Sequence, residues 1–146
     1  MTAEAVAATL RAFLREAGAG RAVAVLDEDP PVLVEVEGEG TPTASVGDEV
    51  RPLLALDEPG LLPHVHAFPP LDVDAQAAEV TAPMGAVAHL AGAVRELSRE
   101  LPGRSVLTVE WVTTDPEAPL TIAARGEDPV VLAIGEEPFE MPAGWP

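Results

Sequence analysis

Cysteine is absent from the 146-residue chain, which excludes disulfides, thiolate nucleophiles, cysteine zinc sites and iron–sulfur clusters. Lysine is absent as well, because all eight basic residues are arginine. That removes a Walker A lysine, a Schiff base and a pyridoxal anchor. Aromatic residues make up only 3%, so a core must be filled mainly by Val, Leu and Ala. No run reaches the roughly 18 apolar residues of a membrane span. The chain opens with Thr2 and Glu4 and not with the basic-then-apolar pattern of a secretory leader, so the expected location is cytoplasmic, with no membrane partner.

What the chain has in excess is acid. It carries 25 Asp and Glu against 8 Arg, a formal net charge of −17, well beyond the magnitude of about 2 to 8 that keeps a small domain in solution. A hydrophobic share of 47% nevertheless excludes an acidic disordered tail, because that much apolar surface offsets the entropy of ordering. The arginines (Arg11, Arg15, Arg21, Arg51, Arg95, Arg99, Arg104 and Arg125) are scattered, each close to a glutamate. They form no phosphate-tracking groove, and no nucleic-acid partner is expected.

The chain is written twice. Pro31 to Glu39 aligns with Pro119 to Glu127, and the register continues without a gap to Val46-Gly47-Asp48-Glu49 against Ile134-Gly135-Glu136-Glu137. Upstream, Gly20-Arg21-Ala22-Val23 is matched with Gly103-Arg104-Ser105-Val106. Val6, Leu10, Phe13 and Ala17 fall opposite Leu90, Val94, Leu97 and Leu101. The length difference falls in the first hairpin, where insertions are cheapest.

Each copy reads as one helix and three strands. Val6, Leu10, Phe13, Leu14 and Ala17 recur at helical spacing, with Thr2 as N-cap and Gly18 as stop. The second helix is expected from about Pro83 to Leu101, capped by Thr81 and ended by Pro102-Gly103. Val32, Val34 and Val36 alternate with Leu33, Glu35 and Glu37, and Leu107, Val109 and Trp111 with Thr108, Glu110 and Val112. Third strands are read at Thr43 to Val46 and Val130 to Ile134. One copy of about 55 residues is marginal alone. Two sharing a core predict a single α+β domain: a mainly antiparallel sheet of about six strands, two helices on one face, and a pseudo-twofold axis. The halves cover about 3–52 and 83–142, with a Pro-rich connector at 53–82. The uncovered face is expected to show Leu33, Glu35 and Glu37 beside Thr121, Ala123, Val112 and Val131.

The connector has no counterpart in the other copy. It carries His64-Val65-His66 and Asp72-Val73-Asp74. In an extended strand, residues two apart point to one side, so His64 and His66 with Asp72 or Asp74, and His89 as a further ligand to complete the set, form a candidate divalent-metal site. The competing reading of this pair is a surface crossover. His89 is otherwise read as a partly buried structural histidine on the second helix. No other catalytic constellation stands out. Gly18-Ala19-Gly20 follows a helix, the reverse of a dinucleotide fingerprint, and Ser45, Ser98 and Ser105 lie in no nucleophile elbow. The tail spaces Phe139, Met141 and Trp145 among prolines, so it is no central strand.

In element order and charge, over nearly the whole chain, the sequence resembles the type III secretion chaperone-like family. That resemblance implies a small acidic α+β homodimer that binds polypeptide segments without catalysis, and it assigns no residue. The first expectation is therefore a non-catalytic homodimer that binds a protein or peptide through its open sheet face and tail, with Leu33, Phe139, Met141 and Trp145 as partner-binding residues and no cofactor. The second is a metal-binding protein or metal-dependent enzyme built on His64, His66, Asp72 and Asp74. The third is a small-molecule binder with a pocket between the two halves.

Overall fold

The computed structural model describes residues 2–53, 86–111 and 117–139. The first half runs α1 (Ala3–Ala17), β1 (Arg21–Leu26), β2 (Val32–Glu37), β3 (Thr43–Val46) and β4 (Glu49–Pro52). The second runs α2 (Ala86–Arg99), β5 (Val106–Trp111), β6 (Leu120–Ala124), β7 (Val131–Ile134) and β8 (Glu137–Phe139). All eight strands form one antiparallel sheet in the order β4-β3-β2-β1-β5-β6-β7-β8. Each half is thus a meander, and the two meet through their first strands.

The sheet is larger than the six strands expected, because each half has a fourth strand. β4 is exposed along its whole length and ends in Pro52, and β8 contains Pro138. Such short, proline-bearing segments lack the alternation that identifies a half-buried strand, and they suit a sheet edge, where one side of the backbone needs no partner.

The helices form where the apolar stripes predicted them. Thr2 Oγ1 accepts a bond from the Ala5 amide at 3.2 Å, and Gly18 closes α1 in the left-handed conformation. α1 packs on β1 and β2, and α2 on β5 and β6, all on one face of the sheet. Val6, Leu10 and Phe13 from α1 and Leu90, Val94 and Leu97 from α2 are buried against Val34, Val36, Leu107, Val109, Ile122 and Leu132. The core passes continuously between the halves. Phe13 of α1 meets Trp111 of β5 edge to face at 6.1 Å, and the Trp111 indole donates to the Ala17 carbonyl at 3.2 Å.

The two halves share their strand registers as well as their order. Adding 88 to Val34↔Ala44 gives Ile122↔Leu132, and adding 88 to Ser45↔Val50 gives Ala133↔Pro138, both observed pairs. For the first strands the offset is 85, since Ala22 corresponds to Leu107. This corrects the sequence alignment there, which placed Ala22 on Ser105, two residues short. The reason is local: left-handed Gly103 (φ 57°) takes the place of Gly18 (φ 67°), and Pro102 is one added residue. Left-handed Gly38 and Gly126, and Gly47 and Gly135, correspond in the same way.

Candidate functional site

The face opposite the helices bears no other described element. Alternation along each strand assigns its residues: Arg21, Val23 and Val25 from β1, Leu33, Glu35 and Glu37 from β2, Thr43 and Ser45 from β3, and Val50 from β4. The second half contributes Val106, Thr108 and Glu110 from β5, Thr121 and Ala123 from β6, and Val131 and Ala133 from β7. Leu33, Glu35, Glu37, Thr121, Ala123 and Val131 lie on the face where the sequence placed them.

Direct cross-strand pairing strings Val50, Ser45, Leu33, Val25 and Val106 into one row across five strands. Val23 sits beside it. Val50 is 62% and Val25 39% exposed, although Val25 lies on a central strand, while Leu33 and Val106 are half-buried. At a strand spacing of about 4.8 Å the row extends about 19 Å. Its counterpart in the second half is more polar: Pro138, Ala133, Thr121, Glu110 and Arg21 occupy the equivalent places. Arg21 is held by Glu35, with Nε at 3.0 Å and Nη2 at 2.9 Å from Oε1. Sequence reasoning found Leu33 but not Val23, Val25, Val50 or Val106. The available signal was β1 itself, apolar at successive positions and therefore on both faces.

The rim of the row is acidic. The β1–β2 loop, with exposed Asp27, Glu28 and Asp29, begins two residues beyond Val25. The β3–β4 turn, with exposed Asp48, lies at the same end of the sheet, beyond Ser45 and Val50. Asp27 is engaged structurally: its Oδ2 accepts from the Arg104 amide at 3.0 Å, and its own amide donates to Ser105 Oγ at 2.8 Å. Glu28, Asp29 and Asp48 face water.

His64, His66, Asp72 and Asp74, and likewise Met141 and Trp145, lie outside the described residues. Phe139 ends β8, paired across the ladder with Leu132. Among the described residues no group of three or more His, Asp or Glu is placed to hold a metal ion. His89 is exposed on α2, not partly buried as its neighbours in the apolar stripe suggested. The buried serine hydroxyls serve the fold, with Ser98 donating to the Arg95 carbonyl at 2.7 Å and Ser105 to the Pro102 carbonyl. Between the halves, Ala22, Ala24, Leu107 and Val109 are fully buried along the β1–β5 ladder. Among the described residues, no helix is long and apolar enough to cross a membrane.

No protein-family model, no curated protein and no solved structure matches the chain. Its site is therefore read from its own residues.

Proposed function

We propose that the chain is a non-catalytic polypeptide-binding module that holds its partner on the open sheet face. The observation that carries this reading is the row of Val50, Ser45, Leu33, Val25 and Val106, apolar but for Ser45, on the side of the sheet away from the helices. A sheet with one face packed and one face solvated normally turns polar side chains outward. A run of apolar side chains at the centre of the solvated face marks an interaction surface. We further infer that the halves descend from one helix-plus-meander module copied in tandem. The matching registers and the three corresponding pairs of left-handed glycines support this descent.

The chain has no cysteine, so Val50→Cys supplies a unique thiol at the end of the row. Labelled there with a polarity-sensitive dye, the protein should shift its emission to the blue when titrated with a permanently unfolded, carboxymethylated polypeptide. Sedimentation velocity over a range of concentrations shows in parallel whether a second copy, the homodimer expected from the sequence, takes the same place. A dye indifferent both to added polypeptide and to protein concentration removes the reading.

A further inference from the structure

Resting on that reading, we propose that the occupant of the open face is a basic amphipathic polypeptide segment, with Lys or Arg flanking a stripe of apolar side chains, and not a second copy of this chain.

Three observations carry the assignment. The first is the charge around the row. Glu28 and Asp29 in one loop and Asp48 in the next turn stand exposed at the end of the sheet beside Val25 and Val50. On the other flank stands Glu35, whose carboxylate holds Arg21. Arg125, exposed just beyond the β6 residue paired with Leu107, is the basic residue at the far end of the row. An apolar strip bordered by carboxylates complements a segment bearing cations on both sides of an apolar stripe.

The second is the net charge of −17. A twofold contact places the same patch on both subunits, so a second copy would bring one strongly acidic surface against another of equal charge. Charge that opposes self-association through this face also steers a cationic segment onto it.

The third is the inequality of the halves. The related row of the second half carries Pro138, Ala133, Thr121, Glu110 and Arg21 in place of Val50, Ser45, Leu33, Val25 and Val106. Large apolar side chains give way to Thr, Glu and Arg in its inner part, so the chain offers one docking strip and not a symmetric pair. At about 19 Å the strip matches a helix of roughly 13 residues.

The test uses the full chain and three synthetic 14-residue peptides: a Leu/Lys amphipathic sequence, its Leu/Glu counterpart, and a Lys/Ser sequence without apolar residues. Each is titrated calorimetrically into the wild type, the charge-neutral double variant Val25→Thr/Leu33→Ser, and Val50→Thr. The last changes an exposed edge residue and keeps the comparison open if the double variant fails to fold. The Leu/Lys peptide should bind the wild type, lose about tenfold or more in affinity for the double variant, and weaken against Val50→Thr. The Leu/Glu peptide should not bind. A Lys/Ser peptide as tight as Leu/Lys, or Leu/Lys binding that ignores the substitutions, means bulk charge attraction and overturns the proposal. Leu/Glu binding that responds to the substitutions overturns the partner's charge but leaves the open-face reading standing. Self-association abolished by Val50→Thr, with no peptide bound, assigns the face to a second copy and again removes only the partner. No binding and no self-association removes both.

Discussion

Val23 faces Thr108 across the ladder that joins the two halves, and this pair lies on the axis that exchanges them, since an offset of 85 carries one onto the other. About the same axis each first strand is geometrically able to pair with a copy of itself. The side chains decide otherwise. As paired, small Ala22 and Ala24 meet large Val109 and Leu107 on the core side, while Arg21 meets Glu110 and Val25 meets Val106 on the open side. Self-pairing would set Ala22 against Ala24 and Leu107 against Val109, and would oppose Val25 to Arg21 and Val106 to Glu110. Volume and charge both favour the pairing of unlike halves.

This complementarity is measurable. Ala24→Leu alone should overfill the core and cost about 1–3 kcal/mol, and Leu107→Ala alone should leave a cavity costing about 2–5 kcal/mol. The double variant restores the total volume across the ladder and should lose less than the sum of the two. Urea unfolding monitored by circular dichroism checks the coupling. Strict additivity would show that the small-to-large match does not hold the halves together.

Two buried arginines form a second correspondence. Arg11 of α1, 4% exposed, donates through Nη2 to the Gly40 carbonyl in the β2–β3 turn. Arg95 of α2, 8% exposed, donates through Nη2 to the Asp128 carbonyl in the β6–β7 turn at 3.0 Å. In each, Nε is buried without a hydrogen-bond partner. Nearer the end of each helix, Arg15 reaches Glu39 at 3.4 Å and Arg99 reaches Glu127 at 2.8 Å, tying the same turns down again at the surface. Hydrogen bonding to Glu127 raises the Arg99 guanidinium further above its already high ordinary value, so it stays charged throughout the working pH range. Arg11→Ala and Arg95→Ala should each destabilise by about 2 kcal/mol through lost packing and an unpaired turn carbonyl. Arg11→Met and Arg95→Met, which keep the packing and remove the buried charge, should cost less. Thermal and denaturant midpoints for the four variants check both the size of the loss and the ranking, which should be the same in both halves.

How much of this was legible in the sequence follows from how each feature is written there. Helix stripes such as Val6-Leu10-Phe13 carry a period of 3.6, and strands such as Val32 to Glu37 a period of 2, so both announce themselves. The 88-residue offset was readable because Gly47 and Gly135 each sit in a turn that needs a left-handed backbone. β4 and β8 were not readable, because they are short edge strands interrupted by Pro52 and Pro138, and β4 is exposed along its length and so carries no alternation. Nor was the union of β1 with β5, which depends on contacts between residues some 85 apart that no local pattern encodes. The open face was half legible. Glu35 and Glu37 marked it as the solvated side, but Val25 looks like an ordinary strand residue, and Val50 belongs to no recognisable strand, until the register lines them up with Leu33.

The net charge of −17 makes a prediction about salt. Self-repulsion weakens a compact, strongly charged chain, and it is screened as the Debye length falls from about 10 Å at 0.1 M to about 3 Å at 1 M. Screening also weakens surface ion pairs such as Arg51–Glu49 at 2.7 Å, but exposed pairs contribute little, about 0–1 kcal/mol. The repulsion term should therefore win, and the melting temperature should rise with sodium chloride. Differential scanning calorimetry over this range decides the sign, and a falling midpoint would show that the arginine–carboxylate pairs outweigh the excess of acid.

Gly18 and Gly103 separate backbone strain from crowding, because they hold corresponding left-handed positions in different surroundings. At Gly18 (φ 67°) an added Cβ would meet nothing within 4 Å, whereas at Gly103 (φ 57°) it would lie 2.6 Å from the Asp27 carboxylate. That carboxylate accepts from the Arg104 amide, and the Asp27 amide in turn donates to Ser105 Oγ, so the atom that must move anchors the end of β1 to the entry of β5. Gly18→Ala should cost only the left-handed conformation, about 1–2 kcal/mol. Gly103→Ala should cost that and a further 1 kcal/mol or so, as the Arg104 amide loses its acceptor. If denaturant unfolding finds the two variants equally destabilised, the Asp27 contact contributes nothing to the junction. If Gly103→Ala with Asp27→Ala is no worse than Asp27→Ala plus the loss seen at Gly18, the extra penalty belongs to that carboxylate.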